Sequence, residues 1–210
     1  TVEGGHRIGL CGQAVLENEA GLRTLKHISF VNIRVSHEIR GAADGVLPKL
    51  YKEGKFQNTL IISPPGFGKT TLLRDLIRQI SDGNPYGSGL RVGVVDERSE
   101  LAGCYMGRPQ KDLGMRTDVL DACPKALGML LLLRSMSPQV IAVDELGEEA
   151  DRQALHKAAA SGCALLATLH GADAADAGKR LGEDWLRQMF ARLVILKGRG
   201  RMECRCLEEC

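Results

Sequence analysis

The sequence predicts an α/β fold in which a mainly parallel sheet is flanked by helices. Short runs of apolar and β-branched residues recur at 60–62, 91–96, 140–143 and 164–169. Continuous runs of this kind are typical of parallel strands that are buried on both faces. The segments between them have helical spacing, as in 70–80, where the apolar residues fall on one stripe. This alternation indicates strand–helix–strand units.

The segment 60–73, LIISPPGFGKTTLL, contains the most specific motif of the chain. It reads as an apolar strand, a turn rich in Pro and Gly, and the start of an amphipathic helix. Gly68-Lys69-Thr70 completes the phosphate-binding loop pattern, with Ser63 where the first glycine usually stands. We expect φ of Ser63 to be negative, because a non-glycine residue then costs little. An ordinary turn could also contain Gly-Lys-Thr, but the flanking strand and helix favour the phosphate loop.

This loop supplies the groups that bind a nucleotide and its Mg²⁺. Backbone N–H groups at a helix N-terminus converge on an anion, and glycines let the backbone approach without a Cβ in the way. Lys69 can reach the β- and γ-phosphates, Thr70 can coordinate Mg²⁺, and Thr71 supports the start of the helix. The predicted nucleotide-binding residues are Pro65, Gly66, Phe67, Gly68, Lys69, Thr70 and Thr71.

Charged residues follow two other predicted strands. A charged run, 96–100, lies at the end of strand 91–96, and Asp144 and Glu145 follow strand 140–143. Ligands of open α/β sheets bind beyond the carboxyl ends of the strands, so both places are candidates for the site. For the first run, a solvated loop is the alternative. An Asp about 75 residues after a phosphate loop can hold Mg²⁺, and the next Glu can activate the attacking water.

A third strand tip carries Thr168 and, after it, His170. A polar residue there would face the γ-phosphate from the side and could sense whether it is present. A histidine in a surface loop is the alternative interpretation.

The remaining segments complete the predicted order of elements. Helices are predicted at 124–134, 148–161 and 184–190, and a C-terminal hairpin at 193–207 closes the sheet edge. The segment 102–121 is rich in Gly and charge and is predicted as a long loop, which in a compact domain is usually functional.

Two domains are predicted, a small N-terminal lead-in lobe at 1–57 and a nucleotide-binding domain at 58–210. In the lobe, two short strands within 8–16 are expected to fold back around Gly12 as a small hairpin, and 28–35 alternates like a strand with one buried face.

Composition argues against a nucleic-acid-binding protein and against a membrane-spanning segment. A formal net charge of +2 and an aromatic content of 4% give little support for nucleic-acid binding. No run approaches the roughly 18 apolar residues of a membrane span. The chain has no secretory signal and begins with Thr1, so we expect it to be part of a longer protein.

The seven cysteines favour buried thiols in a reducing compartment over a disulfide framework. Cys204, Cys206 and Cys210 lie close together in the sequence and suggest metal ligation. However, Cys204 and Cys206 share one face of a predicted strand and no fourth ligand is evident, which argues against a metal site.

The order of the motifs resembles the secretion ATPases of type II and type IV secretion and of pilus retraction. The matching positions are the acidic box Asp96, Glu97 and Glu100, the pair Arg134 and Pro138, and the histidine box Thr168-Leu169-His170. The stretches VVDERSELAG, GMRTDVLDACPKA and RSMSPQVIAVDE more closely resemble the stage III sporulation protein AA family. The chain departs from the secretion ATPases at Ser63 and at Asp144, where they more often carry Gly.

The resemblance implies a RecA-like core that hydrolyses ATP with Mg²⁺ and assembles as a homo-oligomeric ring, expected to be a hexamer. It further implies a cytoplasmic protein, peripheral to the inner membrane on the mother-cell side. Its partners would be membrane proteins of the channel between mother cell and forespore, and direct nucleic-acid contact is not expected.

The resemblance also implies roles for further charged residues. In such rings a neighbouring subunit commonly supplies arginines that stabilise the leaving phosphoryl group. The candidate arginines are Arg98, Arg116 and Arg134. The candidate bases are Glu145, Glu97 and Glu100.

Two other classes of function stay open at this point. A nucleic-acid-dependent motor would share the RecA-like core, although charge and composition count against it. A nucleotide-gated assembly scaffold would bind ATP with little turnover, but a scaffold needs Asp144 and not the adjacent Glu145. A small-molecule kinase is disfavoured because no lid segment or acceptor pocket is evident.

Overall fold

A computed structural model describes residues 2–18, 21–198 and 200–207 of the chain. In these residues the strands are β1 (Arg7–Asn18), β2 (Gly21–Arg34), β3 (Tyr51–Lys52), β4 (Lys55–Phe56), β5 (Thr59–Ser63), β6 (Val92–Asp96), β7 (Thr117–Asp121), β8 (Val140–Val143), β9 (Ala164–His170), β10 (Arg192–Gly198) and β11 (Arg201–Cys206). The α-helices are α1 (Lys69–Asp82), α2 (Lys125–Ser135), α3 (Glu149–Ala160), α4 (Ala174–Leu181) and α5 (Glu183–Met189). Two short 3₁₀ helices span Glu3–Gly5 and Leu47–Leu50.

A central sheet has the strand order β11-β10-β5-β9-β8-β6-β7. All neighbouring strands in it are parallel except β10 and β11, which form an antiparallel hairpin. The prediction of a mainly parallel sheet with a C-terminal hairpin is therefore confirmed. Because β9 lies between β5 and β8, the residues that follow these three strands meet at one edge of the sheet.

Helices cover both faces of the sheet, which is why its inner strands are largely apolar. In β5, Ile61 packs into the core formed with α1, whereas Leu60 and Ile62 pack into the core formed with α2 and α3. All three side chains are fully buried. Alternate residues of one strand thus enter opposite cores, and a continuous apolar run is the result.

The segment between β2 and β5 packs against α1. Val46, Leu47 and Leu50 are buried in the same core as the helix. The backbone N–H of Ala43 donates a hydrogen bond to the carboxylate of Asp75, at 2.9 Å. The predicted domain boundary at residue 57 stays a prediction.

The N-terminal hairpin differs from the predicted one. β1 continues straight through Gly12 and pairs antiparallel with β2. The register shifts between Cys11 and Gln13, and a Cβ on Gly12 would lie 2.6 Å from the carbonyl oxygen of Lys26. Gly12 therefore marks a β-bulge at which two backbones approach closely, and the prediction of a turn there was wrong.

After β5, two elements of the structure were not predicted. The segment 102–121 is not loop throughout, because its last five residues form the edge strand β7. This strand is only half-buried and carries two aspartates, so it lacks the apolar run that identified its neighbours. Helix α4 begins after Asp173, whose carboxylate accepts a hydrogen bond from the backbone N–H of Asp176 at 2.9 Å.

Candidate functional site

The predicted phosphate loop joins the end of β5 to the start of α1. Gly66 and Gly68 have φ of +80° and +94°, and the space where their Cβ atoms would lie is open to 4 Å. Both glycines are needed for a left-handed backbone that leaves room for a ligand. Ser63 is buried as the last residue of β5 and is not among the residues with positive φ, which confirms the expectation for this position.

Lys69 reaches from this loop to two residues on neighbouring strand ends. Its side chain is only 6% exposed, and Nζ lies 3.1 Å from Nδ1 of His170 and 3.7 Å from Oε1 of Glu145. Nε2 of His170 lies 2.7 Å from the same carboxylate oxygen. Since the lysine ammonium can only donate, Nδ1 accepts from it, and the imidazole proton on Nε2 donates to Glu145. His170 is therefore the last residue of β9 and contacts both Lys69 and Glu145, and its role stays a prediction.

Thr70 and Asp144 also meet at this edge. The Thr70 hydroxyl donates a hydrogen bond of 3.0 Å to Oδ2 of Asp144. The hydroxyl of Thr168 donates to the other oxygen of Asp144 and accepts from the backbone N–H of Glu145, at 2.8 Å. A hydroxyl and a carboxylate are suitable ligands for Mg²⁺, which proteins usually hold through one or two carboxylates together with phosphate oxygens. These residues therefore fit the predicted magnesium site.

Both oxygens of the Glu145 carboxylate contact basic side chains. Its Oε2 accepts a hydrogen bond of 2.7 Å from Nη1 of Arg98, and its backbone has φ of +55°. Burial acts to raise the pKa of this carboxyl. The hydrogen bond from His170 and the nearby positive charges of Lys69 and Arg98 outweigh burial, so the net pKa lies below the ordinary value.

The other two candidate bases make different contacts. Glu97 forms an ion pair with Lys125, and Glu100 forms one with Arg7 of β1. Both line a cavity of about 20 Å³ together with Asp144 and Glu145. Of the three glutamates, Glu145 is the one in contact with Lys69 and His170.

Asp96 supports the backbone of the acidic loop. It is almost fully buried, and its two oxygens accept hydrogen bonds of 2.8 Å from the N–H groups of Glu100 and Ala102. Burial raises its pKa, and the backbone hydrogen bonds only partly oppose this effect. From α1, Arg74 donates to the carbonyl oxygens of Glu100 and Leu101, each at 2.7 Å. Asp96 and Arg74 thus position the loop through hydrogen bonds to its backbone.

The three candidate arginines lie on different elements of the fold. Arg98 contacts Glu145 within the site. Arg116 precedes β7 and donates a hydrogen bond of 3.2 Å to the carbonyl of Ser81 at the end of α1. Arg134 is exposed in the last turn of α2. Both of the latter lie toward the amino-terminal edge of the parallel strands, opposite the phosphate loop.

Two arginines near the site were missed by the sequence analysis. Arg7 and Arg34 are register partners in the β1–β2 hairpin. They line a cavity of about 210 Å³ together with Thr70 and Glu100. No local pattern in the sequence relates them to the phosphate loop, because the hairpin is brought there only by the tertiary fold.

Two of the three clustered C-terminal cysteines lie in the part of the chain that the structure describes. Within the described residues, no group of three or more His, Cys, Asp and Glu side chains could hold a metal ion. Cys204 and Cys206 both lie on β11, and Cys206 Sγ is 2.8 Å from Nη1 of Arg192. Cys210 lies outside the described residues. In the same part of the chain, no helix is long and apolar enough to cross a membrane.

Comparison with known proteins places this geometry in a family context. Residues 1–204 match the family model described as "Sporulation stage III, protein AA". The chain is 46% identical over 198 residues to the stage III sporulation protein AA of Bacillus subtilis (strain 168). The alignment covers 93% of this chain and 64% of that protein. The chain therefore spans less than two thirds of the length of this relative. The predicted resemblance to this family is confirmed.

Solved structures show the same fold at low sequence identity. The Legionella pneumophila ATPase DotB has a TM-score of 0.61 and 16% identity, over 94% of this chain and 61% of that chain. The pilus retraction motor PilT, solved with bound ADP, has a TM-score of 0.59 and 15% identity, over 91% and 58% of the two chains. The fold is therefore that of the RecA-like secretion ATPases.

Proposed function

Since the chain belongs to the sporulation stage III, protein AA family, we propose that it hydrolyses ATP with Mg²⁺. The work of hydrolysis would drive a membrane-associated secretion apparatus, the channel between mother cell and forespore. The observation that carries this proposal is the convergence of Lys69, Thr70, Asp144, Glu145 and His170 at one edge of the sheet.

The phosphates of ATP would bind over the phosphate loop. The N–H groups at the start of α1 and the Lys69 ammonium would face their negative charge. Lys69 would then exchange its contacts with His170 and Glu145 for phosphate oxygens. Thr70 and Asp144 would hold Mg²⁺, which supplies charge neutralisation at the β- and γ-phosphates.

Glu145 is the base that the contacts favour. Its carboxyl is ionised at neutral pH and can therefore accept a proton from water. The cavity of about 20 Å³ beside it has room for about one water molecule. Glu97 and Glu100 line the same cavity, but of the three glutamates Glu145 is the one in contact with Lys69 of the phosphate loop.

Arginines of the same chain and of a neighbouring subunit would stabilise the negative charge of the transferred phosphoryl group. Arg98 lies within the site, and Arg7 and Arg34 line the cavity next to Thr70. In a ring, a neighbouring subunit would add further arginines, for which Arg116 and Arg134 are candidates because both lie away from their own site. The assembly we propose is a homo-hexameric ring on the cytoplasmic face of the inner membrane, on the mother-cell side.

Steady-state release of phosphate from Mg-ATP tests the proposal. Lys69→Ala should abolish turnover, because the phosphates lose their lysine. Glu145→Gln should still bind ATP but turn it over about 100-fold or more slowly, the usual loss when a general base is removed. Lys157→Ala removes an exposed lysine from the last turn of α3 and should leave turnover unchanged.

Normal turnover in Lys69→Ala would overturn the assignment of the site. Unimpaired turnover in Glu145→Gln would move the base to Glu97 or Glu100. Tight ATP binding without turnover at any protein concentration would support the assembly scaffold instead.

A further inference from the structure

Lys125 lies beside the candidate site, although it is not among the predicted site residues. It is the first residue of α2, and its side chain is only 12% exposed. Lysines are almost never buried unless they are paired, and the ammonium of Lys125 forms an ion pair with the carboxylate of Glu97. Both residues line the cavity of about 20 Å³ that Asp144 and Glu145 also line. Lys125 therefore faces the site and not the solvent.

The close packing of α2 on β6 directs Lys125 toward this cavity. A Cβ on Gly128 would lie 2.5 Å from a methyl carbon of Val95 in β6, so only glycine allows the helix to approach the strand this closely. Gly128 follows Lys125 by three residues, so the two lie on the same face of α2. Glu97 directly follows β6. The face of α2 that packs on the strand therefore brings the Lys125 ammonium to the end of β6.

The position of Lys125 is not explained by the stability of its own helix. The N-terminus of a helix carries a partial positive charge, which repels an ammonium group in the first turn. By contrast, Lys157 lies in the last turn of α3, where the helix dipole favours a cation, and it is exposed. The interaction that favours the position of Lys125 is therefore the one with Glu97 at the cavity.

Acidic side chains outnumber basic ones around this cavity. Among the described residues, five acidic side chains and two basic ones line it, the basic ones being Arg98 and Lys125. A γ-phosphate nearby would be repelled by so many carboxylates unless cations compensate them. Each of the two basic residues contacts one glutamate, Arg98 contacting Glu145 and Lys125 contacting Glu97. Two glutamates that follow different strands are thus fixed at a cavity with room for about one water molecule.

We propose that Lys125 is a positioning residue for ATP hydrolysis, which acts by holding Glu97 at this cavity. This inference rests on the proposed function. Glu97 accepts a hydrogen bond from one O–H of the attacking water and Glu145 accepts the other, which leaves a lone pair of the water oxygen free for phosphorus. As this oxygen bonds to the γ-phosphorus, the bond to the ADP oxygen breaks and the water proton passes to Glu145. Lys125 keeps its own proton throughout.

Lys125→Met tests this role, because methionine keeps most of the length of the side chain and removes the charge. The value of kcat for Mg-ATP should fall by about 10–100-fold, the size of loss that a misplaced reacting group causes. KM should change by less than about threefold, because the groups that bind the phosphates are unchanged. Lys157→Met is the matched control. It removes the exposed lysine of α3 and should leave both kcat and KM unchanged.

A double variant separates action through Glu97 from an effect that is independent of it. Glu97 is 36% exposed, so Glu97→Gln should fold normally. If Lys125 acts through Glu97, the variant that carries both Lys125→Met and Glu97→Gln should be no slower than the slower single variant, because both changes remove the same interaction. Losses of kcat that multiply in the double variant would overturn the proposal.

A binding measurement gives a readout that does not depend on turnover. ADP with aluminium fluoride mimics the transferred phosphoryl group of the transition state, in line with the attacking water. Lys125→Met should weaken the binding of this complex by about the factor that is lost in kcat, and it should leave the affinity for ADP alone unchanged. An equal loss of affinity for ADP would indicate a disturbed structure and would contradict the proposal.

Failure of this inference and failure of the proposed function give different results. Normal kcat in Lys125→Met, together with turnover that Lys69→Ala abolishes, would overturn the role of Lys125 alone. If the unmodified chain neither hydrolysed ATP nor bound ADP with aluminium fluoride in a Lys69-dependent manner, the proposed function would fail and this inference with it.

Discussion

Glu145 lies where three basic side chains meet. Arg98 contacts one carboxylate oxygen, and His170 and Lys69 approach the other. Its φ of +55° is uncommon for a residue with a side chain. The hydrogen bond from its backbone N–H to Thr168 helps to hold this conformation. The backbone therefore directs the carboxylate toward the phosphate loop at some conformational cost.

The lowered pKa of Glu145 predicts a pH-dependent contribution to stability. Because the folded state favours the ionised carboxylate, this contribution is present above the ordinary value of 4.5 and is lost as the pH falls below it. The difference in Tm between the unmodified chain and Glu145→Gln should therefore be largest near neutral pH and shrink in acid. Thermal unfolding of both proteins between about pH 7 and about pH 3.5 measures it. A difference that stayed constant over this range would contradict the electrostatic account.

Helix α1 connects the phosphate loop to two other segments. Thr70 and Arg74 are four residues apart, so they share one face of the helix. Arg74 holds the carbonyl groups of the acidic loop, and Asp75 holds the N–H of Ala43. A movement of α1 on nucleotide binding would therefore reach the acidic loop and the segment that leads to the N-terminal hairpin.

Arg74→Ala should destabilise the protein by about 1–3 kcal/mol, because the buried carbonyl group of Leu101 and the half-buried one of Glu100 lose their hydrogen-bond donor. Arg180→Ala is the matched control. It breaks an exposed pair with Asp176 on α4 and should cost at most about 0.5 kcal/mol. Urea unfolding of the two variants and the unmodified chain measures both free energies. Equal, small effects would mean that Arg74 does not support the loop.

Because all strands of the sheet except β11 are parallel, their carboxyl ends lie at one edge of the molecule and their amino ends at the opposite edge. The phosphate loop, Asp144, Glu145 and His170 lie at the carboxyl ends of the strands, and Arg116 lies at the opposite end of β7. An arginine so placed cannot reach the nucleotide of its own chain. If it acts in hydrolysis, a second copy has to bring it to the site.

A mixing experiment tests this arrangement in the proposed ring. Lys69→Ala chains have no functional site of their own but keep their arginines. Adding them to Arg116→Ala or Arg134→Ala chains should restore part of the turnover if either arginine acts across the subunit interface. Arg98→Ala is the control, since Arg98 contacts Glu145 of its own chain and should not be rescued. If turnover were restored in none of the three variants, a contribution of Arg116 or Arg134 from the neighbouring subunit would be excluded.

Local patterns in the sequence determined the parallel core and most of the site. Strand, turn and helix signals around Lys69 are contiguous, and Asp144, Glu145 and His170 directly follow apolar runs, so their place at one sheet edge follows from the parallel arrangement. The tertiary structure alone decided which partner each charge takes. The pairing of Glu100 with Arg7 and the placement of Arg34 beside Thr70 join residues far apart in sequence. The bulge at Gly12 and the edge strand β7 also depend on neighbouring strands. No local periodicity encodes such contacts, because their energies arise only when the segments pack together.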